Sequence, residues 1–352
     1  AGPGKGGSAL AAELDAVGLF FPAGHCKGVC IGGGYLLQGG YGWNSRVVGP
    51  ACESVVGLDV VTADGDTIYI DADHHPPDLY WAARGAGPGF FAVVTAFHLK
   101  LYPKPAVLGS SFYAYPIELA DEIFTWARGI SADVDRRVEL QIVATRSVPN
   151  AGIDRPAIVM ASPAFADTEA EAKKAFTLLD QCPVVDKALI AVPYAPMALA
   201  DWYTAVMSNY LEDHRYTADN MWTNASAAEL MPGIHRILDT LPPHPAHFLW
   251  LNWGAITAAP GHGLQLGKRD LLGAVRRLDG PPPRRRKKVQ RLATIQHGVD
   301  GIAGDRNPTG RRESGPSPPA KFVTDENMAR LDRVRAQYDP PDGRFHSWMG
   351  RL

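Results

Sequence analysis

The sequence predicts an α+β protein in two domains, and three observations carry that prediction. Two β-branched runs, Val55 to Thr62 and Thr67 to Ile70, flank Ala63-Asp64-Gly65-Asp66. An Asp-Gly pair between such runs signals a β-hairpin. From Ala106 onward, strand-like stretches at Ser111 to Tyr115, Val138 to Ala144 and Ala157 to Ser162 alternate with helical spacing at Ile117 to Arg128 and Thr168 to Leu179. That texture belongs to a mixed domain with an antiparallel sheet. Finally, 352 residues with 46% hydrophobic and 20% charged content suffice for a large core divided in two.

The remaining elements follow the same local rules. Leu10, Ala11, Leu14 and Val17 sit at helical spacing over Ser8 to Ala16, and Gly18 stands where a helix stops. Asp78 to Arg84 reads as an amphipathic helix with Asp78 as its N-cap. Phe90 to Leu101 reads as a buried strand, closed by Pro103 and Pro105. His247 to Thr257 is an aromatic-rich strand whose rings are expected in the core, and Asp325 to Gln337 has helical spacing.

Between Gly261 and Pro319 the periodicity stops, and GPPPRRRKK and GDRNPTGRRESGPSPP take its place. Three accounts stand: a natural disordered insertion, a basic tether carried by Arg284 to Lys288, and translation out of frame from GC-rich DNA with the frame restored near Ala320. Long structureless loops are uncommon inside compact domains, which favours the last. Resequencing the gene tests it, and an uninterrupted frame with these codons excludes it. The expected division is therefore 1–105, 106–260, an irregular 261–319, and a C-terminal segment 320–352.

A formal net charge of −2 offers no electrostatic reason for a nucleic-acid or membrane partner. No apolar run reaches the roughly 18 residues that span a bilayer, and no signal-peptide pattern opens the chain. Four cysteines, Cys26, Cys30, Cys52 and Cys182, are too few for a disulfide scaffold, so reduced thiols and a cytoplasmic setting are expected. Cys26 and Cys30 form a CxxxC pair without two further zinc ligands by motif, so no metal is expected.

The chemistry-bearing stretch is GHCKGVCIGGGYLLQGGYGWNSR, Gly24 to Arg46, with a cysteine ahead of two glycine clusters. Glycine leaves no Cβ between backbone and ligand, so such a loop can press against a phosphate or a flat ring. A thiol beside it can touch or bond to that ligand. Together with GPACESVVGLDVVTADGD, PDLYWAARGAGPGFFAVVTAFHLKLYP and ENMARLDRVRAQYDPPDGRF, in that order, the chain resembles the berberine-bridge-enzyme-like branch of the vanillyl-alcohol-oxidase, PCMH-type FAD flavoproteins. The resemblance covers most of residues 1–105 and 320–346.

The resemblance implies a PCMH-type FAD-binding domain and a substrate domain that caps the flavin ring. Its chemistry is hydride transfer from an alcohol, sugar or activated C–H substrate to FAD, with reoxidation by dioxygen. Cys26 matches the family cysteine that bonds to flavin C6 in bicovalent members, although Lys27 replaces the usual proline; attachment point and plain buried thiol are both open readings. Gly28, Val29, Gly32, Gly33, Gly39, Gly40 and Gly42 match the cofactor-facing loop. Glu53 holds a usually acidic position, and Val93, Val94 and Thr95 match a strand near the adenosine half, where buried strand residues are the plainer account.

Two departures accompany these matches. The family's Arg-Ser-Gly-Gly-His-like loop, with its 8α-attachment histidine, has no counterpart, so Ala1 is expected to start inside that subdomain. The family's Asn-Tyr pair reads Asn327-Met328; Asn327 keeps a hydrogen-bonding side chain, and Met328 supplies no phenolate base. The catalytic base is not identified by sequence. Trp202, Tyr203, Tyr210, Trp222, Trp250 and Trp253 are candidates for the substrate pocket and equally for the core. A relative that keeps the fold and binds little flavin is the competing functional class. A nicotinamide-binding Rossmann protein is a third and distant class, since GxGxxG spacing is lacking.

Overall fold

The computed structural model describes residues 1–32, 34–74, 77–87, 90–211, 215–254, 270–278, 324–339 and 345. They form two compact units, one built on Ala1–Pro105 and the C-terminal helix, the other on the chain that follows Pro105.

In the first unit, α1 (Gly7–Asp15) buries Leu10 and Leu14, and Gly18 takes φ +70° to turn the chain into β1 (Leu19–Phe20). A short helix, α2 (Ser45–Val48), precedes the hairpin of β2 (Val55–Val61) and β3 (Thr67–Ile70), which pair antiparallel from Leu58↔Ile70 to Val61↔Thr67. The turn residue Gly65 has φ +91°, a conformation glycine adopts without a Cβ penalty. Next come α3 (Pro77–Ala83), β4 (Val93–Leu99) and β5 (Tyr102–Pro103), the last paired with β1.

Two expectations need correction here. Asp78 lies inside the first turn of α3 rather than at its cap, and its carboxylate bonds Arg330 Nε at 3.0 Å. The strand after Phe90 is not buried throughout: within β4 only Phe97 is sealed, and Val93 is 52% exposed. The sheet order β3–β2–β4 explains this. A strand at the edge of a small sheet lacks cover on one side.

The C-terminal helix, Asp325–Tyr338, starts at Thr324, whose side chain accepts from the Asn327 N–H at 3.2 Å. Leu331 and Val334 then join Phe21, Tyr35, Leu58, Leu79 and Phe91 in one core. Arg330 adds a cation–π contact, 4.0 Å above the Trp81 ring.

The second unit runs β6 (Val107–Pro116), α4 (Ala120–Ile130), β7 (Leu140–Thr145), β8 (Ala157–Ala166), α5 (Glu169–Phe176), β9 (Ile190–Pro196), α6 (Leu199–Met207), β10 (Arg215–Thr223), α7 (Ala227–Thr240), β11 (His247–Asn252) and β12 (Asp270–Leu278). The strands make one antiparallel sheet in the order β10–β12–β11–β7–β8–β6–β9. Capping boxes start α5 at Thr168 with Glu171 and α7 at Ser226 with Glu229.

Helical spacing puts Ala120, Ile123, Phe124 and Ala127 of α4, and Leu230, Ile234, Ile237 and Leu238 of α7, on one core with Ile142, Phe248, Trp250 and Leu272. Trp250 is thus a core residue. Strand alternation leaves Gln141, Val143 and Thr145 of β7, and His247, Leu249 and Leu251 of β11, on the opposite face.

β12 corrects the irregular reading of 261–319, because nine of those residues form a regular strand. It pairs with β10 from Arg215↔Leu278 to Thr223↔Asp270 and with β11 on its other side. Two neighbours satisfy its backbone, so the strand does not depend on a strong sequence signal. The remainder of 261–319, including Arg284 to Lys288 and the reading-frame question, lies outside the described residues. So do His75, Gly33 and the end of the expected strand at Ile256 and Thr257.

Candidate functional site

The glycine-rich loop is fastened to the start of the chain. Gly7 N–H donates to the Val29 carbonyl at 2.9 Å, Ile31 N–H to Lys5 at 2.9 Å, and Gly32 N–H to Pro3 at 3.0 Å. Within the loop, Val29 N–H closes a turn on the Cys26 carbonyl at 3.2 Å. Its far end is anchored by the Tyr35 hydroxyl, which donates to the Pro22 carbonyl, and by Trp43 N–H on the Ala23 carbonyl at 3.0 Å. Gly39 and Gly40 have φ +103° and +73°. Their carbonyls accept from Cys52 at 2.8 Å and Ala51 at 2.7 Å, which draws the turn bearing Glu53 onto the loop.

Cys26, Gly28, Val29, Gly32, Gly39, Gly40 and Gly42 thus lie in one loop, and Glu53 lies in the turn that Gly39 and Gly40 hold through Cys52 and Ala51. Val93 and Val94 stand apart from it on β4, paired with Val61 and Val60. Asn327 sits in the first turn of the C-terminal helix.

The glycines divide by what a side chain would meet. A Cβ on Gly32 would lie 2.6 Å from Pro3, and one on Gly40 would lie 3.0 Å from the Ala51 Cβ and the Tyr35 ring. On Gly42 it would overlap the Ala23 carbonyl and the Tyr35 hydroxyl. Packing alone accounts for those three. Gly28 and Gly34 have no neighbouring atom within 4 Å of the same point. Both are exposed, and among the described residues packing does not account for a bare backbone there. Gly34 was indistinguishable in the sequence from its neighbours in the GGG run.

The thiols differ in character. Cys26 is half-buried, and burial pushes its thiol above the ordinary value. Cys52 is sealed; burial first, then the Glu53 carboxylate, push its thiol up to about 12, opposed by Arg84 and its own backbone N–H. Because the folded pKa exceeds the unfolded value near 9.0, stability from the neutral Cys52 thiol is complete below pH 9 and lost as pH rises toward 12. Cys52→Ala should flatten this alkaline decline, read as urea midpoint against pH; an unchanged slope would contradict the assignment.

His25 meets Trp43 edge to face at 4.2 Å, as a loop residue. His74 is held 3.0 Å from the Asp71 carboxylate. Among the described residues no group of three His, Cys, Asp or Glu side chains could hold a metal ion, and no helix is long and apolar enough to cross a membrane.

Residues 1–71 match the family described as FAD binding domain. The FAD-linked oxidoreductase ptmO of Penicillium ochrochloron is 35% identical over 220 residues, covering 61% of this chain and 47% of that protein. The FAD-linked oxidoreductase nodO of Hypoxylon pulicicidum is 28% identical over 97% of this chain and 74% of its own length. The chain thus spans about half the length of the first of these relatives. Berberine bridge enzyme from Eschscholzia californica superposes with a TM-score of 0.76 at 18% identity, over 99% of this chain and 75% of that one.

A glycine loop with an adjacent thiol and an α+β architecture accompany these likenesses, which point to a PCMH-type FAD-binding fold. Residues 1–71 carry the FAD-binding-domain match, and the chain has the fold of berberine bridge enzyme. FAD fits the residues present, since Gly28 and Gly34 offer open backbone and Cys26 is not sealed.

Proposed function

We propose that this chain is an FAD-dependent oxidoreductase acting on an alcohol, sugar or activated C–H substrate, with dioxygen as the terminal acceptor. The observation that carries the reading is the open backbone at Gly28 and Gly34 in the same loop as a half-buried thiol. When bound, FAD supplies the hydride acceptor. The chain's part is to hold and orient it: the loop through backbone near Gly28 and Val29, and Cys26 through its sulfur. Glu53, Val93, Val94 and Asn327 complete the set by resemblance. A reducing, cytoplasmic setting belongs to the same reading, supported by free thiols at all four cysteines.

Purified protein should be yellow, and acid precipitation should leave flavin in the pellet if Cys26 forms the thioether. Cys26→Ser should release that flavin into the supernatant while still binding FAD at neutral pH. Since burial holds the Cys26 thiol protonated, attachment should accelerate as pH rises, the thiolate being the nucleophile. Acid-stable flavin in the Cys26→Ser protein rules out this attachment point. A colourless protein that FAD cannot reconstitute overturns the oxidoreductase reading.

A further inference from the structure

The glycine-rich loop carries a second thiol that flavin attachment leaves unused. Cys26 and Cys30 stand four positions apart, and between them Val29 N–H closes a turn on the Cys26 carbonyl at 3.2 Å. Such a turn brings the Cα atoms of its first and last residues to within about 7 Å, and Cys30 follows Val29 directly. A disulfide spans Cα atoms about 4.4–6.8 Å apart, so closing one here asks for a local adjustment of the loop and leaves the fold in place.

The hydrogen bonds show which side adjusts. Cys30 bridges Gly6 in an antiparallel pair, and the bonds on either side of it, Gly7 N–H to the Val29 carbonyl and Ile31 N–H to the Lys5 carbonyl, both at 2.9 Å, fix it to the start of the chain. The Cys26 side is held more lightly. Besides the turn bond, the Lys27 carbonyl accepts from the Ser8 hydroxyl at 3.3 Å. Gly28 is exposed, no atom lies within 4 Å of where its Cβ would be, and glycine has the widest backbone freedom of any residue. The thiols also differ in access. Cys30 is exposed, its Sγ 3.4 Å from the Gly4 carbonyl, whereas Cys26 is half-buried. Cys52 and Cys182 are both buried.

We propose that Cys26 and Cys30 are a reversible redox pair, closed by a peroxide to a disulfide within the loop that withdraws Cys26 from the flavin. The withdrawal rests on the attachment reading above; the disulfide does not. The exposed Cys30 thiolate attacks hydrogen peroxide, an S–O bond forms as the O–O bond breaks, and hydroxide leaves to become water. The Cys26 thiolate then attacks the Cys30 sulfur, the S–S bond forms, and the S–O bond breaks to release a second hydroxide, protonated to water. Two thiols lose two protons and two electrons, and one peroxide gains them as two waters. Hydrogen peroxide is also what an oxidase releases when dioxygen takes two electrons from its flavin, so the pair senses the product of its own chain. Disulfides that form in reducing compartments are of this transient, sensing kind.

The sequence supplies a direct readout, because Lys27 lies between the two cysteines. Trypsin cuts there and divides the loop into peptides 6–27 and 28–46. Flavin-free full chain treated with hydrogen peroxide, unfolded, alkylated with iodoacetamide and digested should yield these peptides joined, at a mass two hydrogens below their sum. Cys52 and Cys182 should remain alkylated, and dithiothreitol before alkylation should separate the pair. Cys30 oxidised to the sulfinate with Cys26 still alkylated overturns the disulfide, and so does a joined product found only in dimers on a non-reducing gel. Oxidised chain incubated with FAD should hold no acid-stable flavin until dithiothreitol is added, whereas Cys30→Ser given the same peroxide dose should attach it. Equal attachment by oxidised and reduced wild type overturns the withdrawal. Reduced wild type that attaches no flavin overturns the attachment reading and the withdrawal with it, and the joined peptides then stand as evidence for the disulfide alone.

Discussion

Phe124→Ala should destabilise the second unit by about 3–5 kcal/mol, the range for truncating a buried phenylalanine. The Phe124 side chain is fully buried, stacks on Trp250 with centroids 5.4 Å apart, and meets Phe248 edge to face at 5.7 Å. Truncation removes apolar burial, leaves a cavity between α4 and β11, and ends two aromatic contacts of about 0.5–1.5 kcal/mol each. Urea unfolding followed by near-ultraviolet circular dichroism should show a lower midpoint with little change in slope. Phe124→Leu should recover much of the loss, because it refills most of the volume. A Phe124→Ala midpoint equal to wild type would mean this core is not packed as described.

Gly42→Ala should cost about 3 kcal/mol, the upper end for overpacking a tight site. The added methyl group collides with the Ala23 carbonyl and the Tyr35 hydroxyl, and neither is the free end of a flexible side chain. Relief would have to displace the Trp43 N–H bond to Ala23 or the Tyr35 bond to Pro22. Tyr35→Phe in the same protein should restore only part of the loss, since the carbonyl remains. FAD affinity should fall with stability, because the displaced segment anchors the loop. By contrast, Gly28→Ala should leave the melting temperature of the flavin-free protein within a degree or two and weaken FAD binding. If Gly28→Ala instead destabilises the empty protein as much as Gly42→Ala, the division of the glycines is wrong.

These variants show which part of the site was legible from sequence. The hairpin at Gly65 and the amphipathic face of α4 were readable, because a turn and a 3.6-residue spacing are local properties. The loop glycines were readable only as a group. What separates Gly42 from Gly28 is the arrival of Ala23 and Tyr35, and contacts between loop segments have no periodic signature. β4 misled for a related reason: an apolar run looks the same at a sheet edge and at its centre, and only the strand order distinguishes them. β12 was hidden by the Gly, Pro and Arg around it, since its support comes from β10 and β11.

Leu331 and Val334 complete the core of the first unit, and this sets a schedule for synthesis. The sheet of the second unit has all its described strands once Leu278 has left the ribosome. The unit that begins at Ala1 must wait more than fifty further residues for its last core side chains. Domains fold as units during translation, so of these two units the one that begins earlier in the sequence is completed later. Until then the Cys26 loop rests on an incomplete core.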